Sequence, residues 1–155
     1  MKPLYSKLDP LWKILAGTVI LAGIVGIVIL PASSAENGTT CDIHKGSCIK
    51  ETGDGMMVEF DVQPKPVSAM SELTFIVNLT QGGLPLSDAS VVLDLSMPGM
   101  FMGKNQPVLK HAKNGRYEGK GVIVKCASGR KIWRADITIG HGAKNAIASF
   151  VFEVQ

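Results

Sequence analysis

The sequence predicts an all-β protein: an immunoglobulin-like β-sandwich of about seven strands, preceded by one N-terminal transmembrane helix. Three observations predict it. From Met56 onward, apolar residues alternate with polar ones in short runs closed by Gly, Pro or Asn. No helical period occurs in that region. Ahead of it lies one unbroken apolar segment, residues 14–30, with Thr18 as its sole strong hydrogen-bonding side chain.

That segment comes first. Its 17 residues reach the lower limit for crossing the hydrocarbon core, and Leu11 and Trp12 extend it. Trp12 beside Lys13 suits the headgroup level, and Lys2, Lys7 and Lys13 make the N-terminal flank positive. The positive-inside rule then keeps residues 1–13 cytoplasmic and exports the rest. The expected location is the inner (cytoplasmic) membrane, single-pass, with the C-terminal domain in the periplasm or other extracytoplasmic space. A cleaved signal peptide is the competing reading, because Ser33, Ser34 and Ala35 supply small residues before Glu36. The domain faces an oxidising space in both cases.

Residues 31–55 are rich in Gly, Ser, Thr and Asn and show no hydrophobic period. They read as a linker containing a small cysteine loop. The sandwich is expected over residues 56–155. Its first strand carries Val58, Phe60 and Val62, alternating with Glu59 and Asp61, and Pro64 and Pro66 end it. Leu73, Phe75, Val77 and Leu79 mark a second strand, and Val91, Leu93 and Leu95 a third. A strand over 108–112 follows, turned by Asn114-Gly115, a hairpin dipeptide. Tyr117 and the run 122–124 come next, then a Ser128-Gly129 turn. Trp133, Ala135, Ile137 and Ile139 alternate strictly, and Ala148, Phe150, Phe152 and Val154 close the chain.

Charge excludes one class of function. Beyond residue 13 the chain has thirteen basic and twelve acidic residues, so it lacks the electrostatic footprint of a nucleic-acid binder. Catalysis is not expected. The three histidines lie far apart, and no Gly-x-Ser-x-Gly or His-Glu-x-x-His pattern occurs. Asp61, Asp94 and Asp136 fall at outward strand positions, where a charge ordinarily faces solvent.

Cys41 and Cys48, with six residues between them in an exported loop, most simply form a disulfide. A metal site from Cys41, His44 and Cys48 is the sharper alternative, but that spacing lacks a fourth ligand. Cys126 is left over, as a buried small hydrophobe or a soft ligand.

The most suggestive chemistry lies in Met97-Pro98-Gly99-Met100-Phe101-Met102, where three of the seven methionines fall within six residues. Pro-Gly at the central positions specifies a type II turn, which brings Met97 and Met100 within about 7 Å at their Cα atoms. Thioether sulfur is soft and neutral, and it favours Cu(I) over hard cations. The candidate metal ligands are therefore Met97, Met100 and Met102, with His111 as a further one; Cys126 is also within reach of that role. Copper(I) is the one cofactor candidate. The competing reading is that the methionines pack the end of the sandwich or contact a partner.

The series Met97-Pro98-Gly99-Met100-Phe101-Met102-Gly103, Leu109, Gly115-Arg116-Tyr117, Gly121, Ser128-Gly129 and Trp133 resembles the YtkA-like domain family. The layout of one membrane helix and a small exported sandwich resembles FixH-like proteins. The resemblance implies an accessory protein rather than an enzyme, linked to copper supply or cation pumping in oxidase assembly. It implies Met97, Met100 and Met102 as the functional loop, and Gly115, Tyr117, Gly129 and Trp133 as structural positions. Cys126 and the Cys41–Cys48 loop depart from the pattern. The function expected is a membrane-anchored accessory protein binding Cu(I) for delivery or efflux, with a membrane complex or copper acceptor as partner. The alternative is a metal-free interaction module docking on a membrane complex.

Overall fold

A computed structural model describes residues 39–155. The membrane segment expected at residues 14–30 lies outside the described residues, and so do residues 1–13. Among the described residues no helix is long and apolar enough to cross a membrane.

The alternating runs become strands that place their apolar side chains between two sheets. The strands are β1 (Thr39–Cys41), β2 (Cys48–Glu51), β3 (Met56–Gln63), β4 (Glu72–Gln81), β5 (Leu84–Pro85), β6 (Ser90–Ser96), β7 (Lys110–Lys113), β8 (Arg116–Val122), β9 (Ile132–His141) and β10 (Lys144–Glu153). One sheet has the order β1-β10-β9-β6 and the other β2-β3-β4-β8-β7, with β5 paired to β4. All pairings are antiparallel except β1 with β10.

The sheets meet through Phe60 of β3, which stacks on Phe150 of β10 at 5.5 Å between ring centroids and lies 5.8 Å from Phe152. Around this trio, Val58 and Val62, Leu73 to Leu79 at alternate positions, Leu93 and Leu95, and Trp133 to Ile139 at alternate positions are all buried. Each such side chain contributes about 1.5–3 kcal/mol relative to exposure. Trp133 is 2% exposed, as a core anchor must be.

Seven of the ten strands are those the alternation predicts. The other three, β1, β2 and β5, are two to four residues long, too short to show a period. Residues 39–51 therefore correct the linker reading of residues 31–55. β1 extends one sheet, β2 extends the other, and between them Ile43 is fully buried in the common core. The lone apolar Ile43 among polar residues carries that burial. The loop between β1 and β2 is held from below by Lys65, whose Nζ donates to Ile43 O, to Gly46 O (3.0 Å) and to Asp61 (2.7 Å).

Asn114 and Gly115, both at positive φ, make the turn joining β7 to β8. Gly115 has a second reason to lack a side chain: a Cβ there would lie 2.5 Å from Leu79 O. Next to it Tyr117, 3% exposed, donates its hydroxyl proton to Leu86 O (3.1 Å) and accepts from Ala89 N (3.0 Å). This pins the β5–β6 connection onto β8.

Candidate functional site

The methionine loop connects β6 in one sheet to β7 in the other. Met100 N donates to Met97 O at 3.0 Å, and Gly99 has φ 72°, so Met97-Pro98-Gly99-Met100 is the type II turn that Pro-Gly specifies. Beyond the turn, Asn105 O accepts from Leu95 N at 2.9 Å, so the loop folds back along the β6 edge. It then lies on β8. A Cβ at Gly119 would sit 2.1 Å from Val108 O, and one at Gly121 would sit 3.0 Å from Pro107 Cγ. Two glycines two residues apart leave a trough on the inner face of β8, and residues 107 and 108 occupy it.

This path sorts the candidate ligands. Met97 is 2% exposed and belongs to the core. Met100 and Met102 are half-buried, packed against that core from outside, and Phe101 between them is 97% exposed. His111 lies on the exposed strand β7, its ring 5.2 Å from the ring of Tyr117 at the start of β8. The thiol that approaches the loop comes from beyond the other end of β8, and about 17 Å of strand separates Tyr117 from Val122. His111 is thus placed at the other end of β8 from that thiol.

What the structure brings together is Met100 and Cys126, with Sγ 3.8 Å from Sδ. Cys126 begins a tight turn in which Gly129 N donates to Cys126 O at 3.0 Å. Its Sγ lies 3.0 Å from Ser128 Oγ. That hydroxyl and the Ser128 backbone N–H hold the thiol pKa below the ordinary value against the opposing effect of burial, with lesser help from the N–H and charge of Arg130. Arg130 also bridges the loops, with Nη1 3.5 Å from Pro98 O. The pairing of Met100 with Cys126 is the element that sequence spacing misses, since 26 residues separate them.

The pair has the dimensions of a soft-metal chelate. Two metal–sulfur bonds of about 2.3 Å meeting at about 110° put their sulfurs about 3.8 Å apart. Among the described residues no three His, Cys, Asp or Glu side chains converge to hold a metal ion, so such a centre rests on thioether and thiol together. The alternative site in the cysteine loop is otherwise engaged. Cys41 and Cys48 form a disulfide with Cα atoms 5.9 Å apart, and His44 Nδ1 accepts from Val67 N at 3.2 Å.

Residues 51–126 match the YtkA-like family model, a span running from the end of β2 through the methionine loop to Cys126. This segment is similar to YtkA-like domains. The matched segment therefore contains both partners of the sulfur pair, whereas β9, β10, β1 and all of β2 but Glu51 lie outside the match. No curated protein and no solved structure shows significant similarity to the chain.

Proposed function

We propose that the protein is a membrane-anchored extracytoplasmic accessory protein that binds Cu(I) at Met100 and Cys126 for delivery or efflux. The observation that carries this reading is the 3.8 Å separation of Met100 Sδ and Cys126 Sγ at the edge of the core. A thioether and a thiol of lowered pKa form a soft, singly charged donor set suited to Cu(I) over Mg²⁺ or Ca²⁺. The Cys41–Cys48 disulfide supports an oxidising compartment, in keeping with an exported domain. Nothing in the donor set calls for catalysis, and the proposed role is accessory.

The test is Cu(I) titration of the full chain in detergent against a competing chelator. Ascorbate keeps the metal reduced and leaves the disulfide intact. Met100→Leu and Cys126→Ala should each weaken binding at least about tenfold, a loss of about 1.4 kcal/mol. His111→Ala should leave affinity unchanged, and so should Met97→Leu, which keeps apolar volume in the core. Equal affinity in wild type and the Met100→Leu/Cys126→Ala double variant would remove the copper reading.

One observation favours a second reading, a metal-free docking module. Phe101 stands 97% exposed at the crest of the loop, and a solvated aromatic flanked by half-buried methionines has the composition of a protein contact.

A further inference from the structure

Two protein sulfurs leave a Cu(I) ion short of its third donor, and Cys126 opens onto a cavity of about 360 Å³. The apolar part of its lining is formed by Val124, Trp133 and Val154. The rim is cationic: Lys125, Arg130 and Lys131 line it, and no Asp or Glu does. All three are exposed, and none is ion-paired to a carboxylate among the described residues. Three cationic and no acidic side chains around a small apolar hollow, whose lining also includes Gln155, select an anionic ligand with an apolar part. The thiol at one side selects a soft one.

We infer that this cavity binds a small thiol bearing carboxylate groups, whose sulfur completes the coordination of Cu(I) begun by Met100 and Cys126. The inference rests on the copper reading for its metal half and on the cavity alone for its ligand half. A Cu(I)–thiolate complex enters with its carboxylates on the cationic rim and its metal toward Cys126. As the Cu–Sγ bond forms, the Cys126 S–H bond breaks and the proton passes to solvent; the carrier keeps its Cu–S bond and copper stays Cu(I). The cavity has the volume of small-molecule sites at the lower end of their range, about 300 Å³.

The ligand half is tested without copper. The full chain carrying Trp12→Phe, so that Trp133 is the sole tryptophan, is titrated with S-methylglutathione, which has the carboxylates but no free thiol. Trp133 emission should change saturably with a Kd of about 1 mM or tighter, and equilibrium dialysis should give the same Kd. Affinity should fall at least about fivefold between about 0.02 and 0.5 M salt. It should be lost in Lys125→Gln/Arg130→Gln/Lys131→Gln, whose exposed positions leave the core intact. No binding by dialysis up to about 10 mM, or equal binding by the triple variant, would overturn the inference.

The metal half is tested with glutathione against cysteamine, a thiol of opposite charge. Glutathione should raise Cu(I) affinity at least about tenfold more than cysteamine in wild type, with no such preference in the triple variant. Cu(I) binding with equal enhancement by both thiols would sink this inference and leave the function above standing. Binding of S-methylglutathione by a protein that takes no Cu(I) would do the reverse, removing the metal and sparing the anion site.

Discussion

Gly119 on β8 lies directly under the carbonyl of Val108, so close that an ideal Cβ at Gly119 would sit 2.1 Å from Val108 O. The contact joins the methionine loop to the second sheet through backbone, and no rotamer change can relieve it. Gly119→Ala should therefore destabilise the fold by about 3 kcal/mol, the upper range for overpacking. Gly46→Ala, at a position with open space around it and no positive φ, should be neutral or slightly stabilising. Urea midpoints of the two variants check the contrast.

The Tyr117 hydroxyl holds two backbone groups, Leu86 O and Ala89 N. Tyr117→Phe keeps the ring and strands both partners. We expect a loss of about 1–3 kcal/mol by chemical denaturation, with the sandwich otherwise retained. A variant as stable as wild type would show that water takes over both groups.

The Cys126 thiol should ionise below the ordinary thiol value of 9.0. A depressed folded-state pKa means that the fold favours the thiolate. Its stabilising contribution is complete above the unfolded pKa and disappears as pH falls through the folded one. Iodoacetamide alkylation of Cys126 should accordingly accelerate at lower pH than for a free cysteine. Ser128→Ala, which removes the largest cause, should move the profile back toward alkaline pH.

Reducing Cys41–Cys48 releases a loop closed across seven residues of sequence separation, worth about 2.5 kcal/mol by chain entropy. The melting temperature should drop by several degrees. Cys41→Ala/Cys48→Ala should match the reduced protein, and neither change should alter the alkylation profile of Cys126.

The sequence made the seven long strands legible because each buries one face, and burial on one face enforces a period of two. It also specified the Pro-Gly reversal at Met97–Met100, a local matter. What it hid was tertiary. β1 and β2 are too short for a period, so Ile43 was the single clue to their burial. Gly119 carried no signal in the sequence, yet its missing side chain is what admits Val108. Cys126 meets Met100 only because the loop folds back along β6 and two turns dock, and no spacing rule encodes such a meeting.

The Cys41–Cys48 bond joins a strand of one sheet to a strand of the other. Tension entering from the N-terminal side of Thr39 would act first on β1, a three-residue strand paired to β10 at the border of its sheet. At Cys41 the covalent crosslink shunts that load into β2 and the opposite layer. The sandwich is mechanically fused at its N-terminal margin, and a pull on that end must shear both layers together before the methionine loop feels it.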